Sequence, residues 1–119
     1  MMKPISVWKQ ELSGGAHAAR LAALYCCAPE QTPAQAARYE AVLDGLEATF
    51  GPHAEAGLYS APGRTEIGGN HTDHQHGRVL AGSVNIDMIA AAGPNTLGQL
   101  RVQSEGYDLC VIDLNDLAA

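Results

Sequence analysis

Residues 61–87 read APGRTEIGGNHTDHQHGRVLAGSVNID, and they lie where the chain changes from helical to extended sequence patterns. The stretch sets two arginines, a glutamate, two asparagines, three histidines and two aspartates among glycines. Polar side chains gathered in a glycine-rich segment between strands are typical of binding and catalytic loops. We therefore expect this segment to carry the function of the protein.

The side chains of this segment suit a hydroxyl-rich ligand that is handled beside a phosphate. Asp73 can accept two hydrogen bonds from neighbouring hydroxyls, and Asn70 and His71 can donate or accept next to it. Arg64 would supply a positive charge suited to a phosphate or to charge that develops during transfer. The glycines would let the backbone approach the ligand closely.

Two other interpretations of the segment stay open at this point. A glycine-rich polar turn between two strands needs no function at all. Metal binding is the other, because imidazole and carboxylate ligands are dense at His71, Asp73, His74 and His76. Structural zinc commonly uses a second, distant pair of ligands, and no such pair stands out, so we expect no metal centre.

The sequence before this segment predicts helices. The clearest runs from Pro33 to Phe50, with a capping box predicted at Thr32 and Gln35 and a Gly-Pro pair at its end. Its apolar side chains recur at three- and four-residue steps: Ala36, Tyr39, Leu43, Leu46 and Phe50. Shorter helices are expected at about 16–26 and around 5–12.

The sequence on either side of the loop predicts strands. A short strand is expected at Leu58–Ala61, ending at Pro62-Gly63. Extended structure is expected again between Arg78 and Ala91, and a pair of strands at 100–104 and 109–114. The alternation that indicates the second of these is Val84, Ile86 and Met88 with Asn85 and Asp87.

Helices followed by strands predict an α+β fold in which a mixed sheet packs on helices. We expect a helical segment over 1–55, followed over 56–119 by the functional loop and the first strands of a domain. The last strand-like run is followed by no helix that could cover a sheet face. Since uncovered apolar surface is unfavourable in water, we expect the natural chain to continue.

Composition excludes several classes of partner. The formal net charge is −6, and the seven basic residues are scattered, which disfavours nucleic acid and anionic membranes. No uncharged apolar run approaches the roughly 20 residues that would span a bilayer, and the start lacks a signal-peptide pattern. The three cysteines, Cys26, Cys27 and Cys110, predict buried free thiols in a reducing, cytoplasmic compartment.

One family resemblance narrows these alternatives. Residues 63–74, GRTEIGGNHTDH, resemble the galactokinase signature, whose usual form is G-R-x-N-L-I-G-E-H-x-D-Y. Pro62 before it and the Gly77-x-Val79-Leu80 run after it also match the family pattern. The resemblance implies the fold of the GHMP kinase superfamily, which is similar to domain 2 of ribosomal protein S5. It also implies the activity of a sugar 1-phosphotransferase that uses MgATP.

The resemblance also implies roles for single residues. Arg64 matches the arginine near the transferred phosphate and the anomeric hydroxyl, and would be catalytic. Asp73 and His71 match residues that contact galactose. Asn70 stands where the family usually has a glutamate that binds the hydroxymethyl group of the sugar. With this departure, the resemblance implies galactose or a close relative as the substrate. Glu66 is a further departure, since the family usually has asparagine there.

The nucleotide-binding part of that family is not found in the sequence. No P-x-G-x-G-L-S-S-S pattern occurs in residues 1–119, and no aspartate matches the context of the catalytic base. We therefore expect the chain to be the N-terminal, sugar-recognising portion of a galactokinase and inactive by itself. The alternative is a non-catalytic sugar-binding or sensor module of the same origin.

Overall fold

The computed structural model describes residues 1–52, 54–69 and 76–116. Within them the elements are β1 (Lys3–Pro4), α1 (Ile5–Ser13), α2 (Ala18–Tyr25), a 3-10 helix (Pro29–Gln31), α3 (Thr32–Phe50), β2 (Glu55–Gly68), β3 (Leu80–Ala92), β4 (Gln99–Val102) and β5 (Cys110–Asp113). The predicted α+β class is confirmed. The strand pairs of this described part are all antiparallel, whereas a mixed sheet was predicted.

Helix α3 is the centre of the hydrophobic core. Its predicted stripe is confirmed: four members are buried and Phe50 packs against them, while Leu43 has no exposed surface. Gly51 ends the helix at φ 84°, and its N–H donates to the carbonyl of Glu47 at 2.9 Å. The left-handed φ explains why glycine stands at this position.

The capping box predicted for α3 is wrong. Thr32 is the first helical residue, and its hydroxyl donates to the carbonyl of Pro29 at 2.7 Å. The Gln35 side chain accepts a hydrogen bond from Arg38 at 2.7 Å instead of reaching back. The preceding 3-10 turn enters the helix directly, so the cap that the sequence pattern indicates is not needed.

Helices α1 and α2 complete a unit that we call the helical body, made of α1, α2 and α3. Its shared core also contains Ile5, Leu12, Leu21 and Tyr25. The body holds the start of β2, because the indole N–H of Trp8 donates to the Ala56 carbonyl at 2.8 Å. Strand β1 pairs with the same end of β2.

Strands β2 and β3 form a long antiparallel ribbon, and β2 runs straight through Pro62-Gly63. The predicted end of the strand at that pair is therefore wrong. Beyond Ala56, β3 is the one strand paired with β2 in the described ranges, so the other edge of β2 is open. A proline is tolerated in a strand with an open edge because a ladder hydrogen bond need not be lost.

The two faces of the ribbon differ in burial. Near the helical body, Leu58, Ile89 and Ala91 pack against the core. On β3, Ile86 and Met88 are 77% and 78% exposed, whereas the Asp87 side chain between them is 3% exposed. The predicted alternation is present, but the apolar members face solvent and the carboxylate faces the helices.

Strands β4 and β5 form a separate hairpin, as the sequence predicts. Arg101 of β4 places its guanidinium carbon 5.2 Å from the centre of the Phe50 ring, which links the hairpin to the end of α3. None of the described helices is long and apolar enough to cross a membrane. The three cysteines are free, but Cys26 and Cys110 are exposed, so the predicted burial is wrong for both.

Candidate functional site

Arg64 lies on the part of the ribbon that extends past the helical body. It is exposed, and it pairs with Ser83 across the ribbon. Strand alternation puts it on the same face of β2 as Ser60 and Leu58, which is the face that meets the helices. At about 3.3 Å per residue, its Cα lies about 13 Å along the strand from that of Ser60. Arg64 is therefore available to a ligand and is not used in the core.

Gly63 lies where the ribbon changes register. Pro62 pairs with Asp87, but Arg64 pairs with Ser83, so β3 carries extra residues opposite Gly63. A Cβ on Gly63 would lie 3.2 Å from Val84 Cγ2 and 3.3 Å from the carbonyl oxygen of Ile86. A side chain would push this bulge away, so glycine permits the irregular pairing directly beside Arg64.

Gly69 marks the end of the ribbon. Its φ is +88°, and a Cβ there would collide with the carbonyl oxygen of Arg78. Gly68 pairs with Leu80 next to it, after a second irregularity at Ile67. The two sides of the ribbon are therefore in backbone contact at its tip, which fixes where the chain leaves β2 and returns to β3.

The predicted sugar ligands Asn70, His71 and Asp73 lie outside the described residues. Their expected juxtaposition with Arg64 therefore stays a prediction. Among residues 1–52, 54–69 and 76–116, no group of three His, Cys, Asp or Glu side chains could hold a metal ion. The metal alternative depends largely on His71, Asp73 and His74, which are not among them.

A second polar feature was not predicted: a buried carboxylate at Asp87. It accepts hydrogen bonds from the Tyr25 hydroxyl at 2.6 Å, the Arg38 guanidinium at 2.7 Å and the Ser60 hydroxyl at 2.6 Å. Because Tyr25 donates to Asp87, it accepts from Tyr39, whose hydroxyl is 2.7 Å away. We call these five residues the Asp87 cluster. It joins α2, α3, β2 and β3 at one point.

The environment of the cluster shifts the pKa values of its members. Burial alone would raise the pKa of Asp87, but the hydrogen bonds from Ser60, Tyr25 and Arg38 outweigh burial and hold it below its usual value. Burial raises the pKa of Tyr25 above its usual value, and the hydrogen bonds to Asp87 and Tyr39 add to this. Asp87 is thus a carboxylate at neutral pH, and Tyr25 is a neutral donor.

The sequence contains one signal that could have located this cluster. Asp87 is the charged residue of β3, a strand that ends in alanines, and a charge there is buried only when it is paired. The identity of its partners could not be read from the sequence. Tyr25 and Arg38 lie 62 and 49 residues away along the chain.

A cavity of about 510 Å³ opens beside the cluster, between the end of α2, the 3-10 helix and the start of α3. Its lining is mostly polar or sulfur-containing: Tyr25, Cys26, Cys27, Glu30, Gln31, Ala34, Gln35 and Asn85. Tyr25 belongs to the Asp87 cluster, and Gln35 is hydrogen-bonded to Arg38. The cavity therefore shares a wall with the cluster, and it is separate from the tip of the ribbon.

The ribbon and the segment between its strands match one family of known proteins. Residues 46–94 match the family model described as the galactokinase galactose-binding signature. The chain is galactokinase-like over this stretch. The match includes the end of α3, the whole ribbon and the segment between its strands. No curated protein and no solved structure matches the chain.

The galactokinase signature includes only part of the Asp87 cluster. Ser60 and Asp87 lie within residues 46–94, whereas Tyr25, Arg38 and Tyr39 lie before them. The cluster is therefore a polar contact between the helical body and the signature, in addition to the hydrogen bond from Trp8 to Ala56.

Proposed function

We propose that the tip of the ribbon binds galactose or a closely related sugar. The observation that carries this proposal is the match of residues 46–94 to the galactose-binding signature. The exposed position of Arg64 supports it, since its side chain is available to a ligand. Asn70, His71 and Asp73 would supply the hydrogen bonds to the sugar.

The proposed contacts follow from the chemistry of a hexose. The Asp73 carboxylate would accept from two adjacent ring hydroxyls, and His71 would complete the contact from beside it. Asn70 has an amide oxygen where a glutamate is usual, so it keeps an acceptor for the hydroxymethyl group without the charge. This substitution favours testing galactose together with its close relatives.

We further propose that the chain is the sugar-recognising part of a kinase of the galactokinase type. Such an enzyme transfers the γ-phosphoryl group of ATP to the anomeric hydroxyl, and Arg64 would stabilise negative charge near the attacking oxygen. The proposal includes the GHMP fold, a division near residue 55 and a cytoplasmic location. Support comes from the signature and from the α+β class of the structure.

The residues of this chain do not fit MgATP. Residues 1–119 contain no glycine-rich loop ending in serines. In the described residues no acidic cluster is suited to a metal ion. Phosphoryl transfer depends on groups that position the nucleotide and its Mg²⁺, so we derive no transfer step from this chain.

Calorimetric titration with galactose tests the proposal directly. The wild-type chain should bind galactose, and Asp73→Ala should weaken binding at least about tenfold because hydrogen bonds to a charged group are lost. Asp108→Ala is the matched control, since Asp108 is an exposed aspartate of the β4–β5 hairpin. No binding by the wild type, or equal binding by Asp73→Ala, would contradict the proposal.

The second candidate function is sugar binding without catalysis. The family match describes galactose binding, which this candidate needs no further group to perform. The codons that follow Ala119 in the gene separate the two candidates. A downstream glycine-rich loop with serines supports the kinase, whereas a stop codon followed by a stable, galactose-binding product supports the binding module.

A further inference from the structure

Asp87 is located at the boundary between the covered and the uncovered parts of the ribbon. Between it and the helices, Leu58, Ile89 and Ala91 pack against the core. On the other side of the Asp87–Pro62 pair, the register shifts and the strand residues up to Gly68 are exposed. The last regular strand pair before the bulge therefore contains Asp87, whose carboxylate is bound by α2 and α3.

Two members of the cluster bind the ribbon to the helices, and a third bridges its two strands. Tyr25 approaches Asp87 from α2, Arg38 approaches from α3, and Ser60 approaches from the neighbouring strand. Directional hydrogen bonds to one buried carboxylate add geometric specificity to the apolar packing. Removing the negative charge while its partners stay in place would leave the Arg38 charge without its partner. Loss of the charge would therefore weaken the connection between the ribbon and the helices.

Arg64 and the tip of the ribbon depend on this orientation. Arg64 follows Pro62, the partner of Asp87, by two residues, and the described contacts to the helices end before it. A small rotation at the Asp87–Pro62 pair would be carried along the strand to Gly69. Binding sites lose affinity when their supporting contacts allow a displacement of about 1 Å.

We infer that Asp87 is a positioning residue for the sugar site, which it orients by fixing the ribbon to α2 and α3. The inference rests on the proposed sugar binding at the tip. It assigns a functional role to Tyr25 and Arg38, which lie outside the matched signature. Asp87 itself does not touch the sugar in this account, because its carboxylate is fully engaged by Tyr25, Arg38 and Ser60.

The test compares Asp87→Asn with Leu46→Ala in the full chain. Leu46 is a buried core residue of α3 that is not part of the cluster, so its variant supplies a loss of stability without loss of orientation. Asp87→Asn should weaken galactose binding at least about tenfold, and Leu46→Ala should stay within about twofold of wild type, both measured well below the unfolding temperature. Equal affinities of Asp87→Asn and wild type would overturn the inference.

Backbone hydrogen exchange supplies a readout that does not need the sugar. In Asp87→Asn, amides of 64–66 and 81–83 should exchange about tenfold faster relative to the amides of α3, whereas Leu46→Ala should speed both regions alike. A uniform change in Asp87→Asn would overturn the inference. If the wild type binds no galactose, the proposed function fails, and this exchange pattern still decides whether Asp87 orients the ribbon.

A milder variant keeps the test decisive if Asp87→Asn does not fold. Tyr25→Phe removes the hydrogen bond from α2 and leaves the ion pair with Arg38 in place. It should weaken galactose binding about threefold and accelerate exchange in the same ribbon amides. A folded Tyr25→Phe chain with wild-type affinity and wild-type exchange would contradict the positioning role.

Discussion

The helical body and the ribbon are built on different principles. The body buries an apolar stripe on α3 against α1 and α2, and its interior is closed by side chains such as Leu43. The ribbon beyond Asp87 has exposed strand residues on both sides, and its shape depends on backbone geometry at Gly63 and Gly69. The helical body therefore provides the stability, and the ribbon is the region open to a ligand. The Asp87 cluster connects the two regions.

The largest effect should come from the core of the helical body. Leu43→Ala should lower the free energy of unfolding by about 2–5 kcal/mol, because a side chain with no exposed surface leaves a cavity. Leu24→Ala is the matched control, since Leu24 on α2 is 52% exposed, and it should cost less than about 1 kcal/mol. Equal losses in urea denaturation would contradict the proposed location of the core.

The next effect concerns the junction between the two regions and should appear in the pH dependence of stability. The lowered pKa of Asp87 stabilises the fold above the unfolded pKa of about 4, and this contribution is lost as the pH falls below it. The raised pKa of Tyr25 acts in the opposite direction, so stability falls as the pH rises above about 10.

Two tyrosine variants test the alkaline limb of that profile. Tyr25→Phe should cost about 1–2 kcal/mol at pH 7 through the lost hydrogen bonds, and it should flatten the fall in stability above about pH 10. Tyr107→Phe makes the same change at a side chain that is 76% exposed. It should leave the profile as in wild type; if both variants behave alike, Tyr25 is not part of a buried cluster.

A smaller effect distinguishes glycines in the two regions. Gly69→Ala should destabilise the ribbon by more than about 1 kcal/mol, because its φ is +88° and a Cβ would meet the Arg78 carbonyl. Gly45 lies within α3 with open space around its Cα, and Gly45→Ala should stabilise the chain by about 0.5–1 kcal/mol. Thermal unfolding should show opposite signs; equal signs would contradict the geometry at one of the two sites.

The smallest effect is expected on the solvent side of the ribbon. Ile86 is 77% exposed, so Ile86→Ala should change the free energy of unfolding by no more than about 0.5 kcal/mol. A loss of several kcal/mol in the same urea experiment would show that Ile86 is buried in solution. That result would contradict the assignment of one ribbon face to the helices and the other to solvent.

The helical body could be predicted from sequence because its signals are local. The stripe on α3 repeats within nineteen residues, and Gly51 ends the helix by its own φ. The length of β2 could not be predicted from the sequence, because Pro62-Gly63 is a turn signal. The pair becomes compatible with a strand only when one edge of β2 is open and β3 bulges opposite it. Local sequence rules do not predict the length of a strand when its pairing with a neighbouring strand determines it.

The candidate site divides in the same way. The family resemblance identified the loop from contiguous residues, and the match over 46–94 agrees with it. The Asp87 cluster could not be assembled from sequence, because its members come from four elements and hydrogen-bond only once the helices meet the ribbon. Long-range polar contacts have no periodicity that a sequence pattern can show.

One measurement tests the central claim most directly: the response of backbone amide NMR signals to galactose, with glucose, its epimer at C4, as the control. We predict shifts at Arg64 to Gly69 and at 76–83 that saturate with galactose, are much weaker with glucose and disappear in Asp73→Ala. Absence of shifts at saturating galactose, or shifts confined to the helical body, would contradict the assignment of the sugar site to the tip of the ribbon.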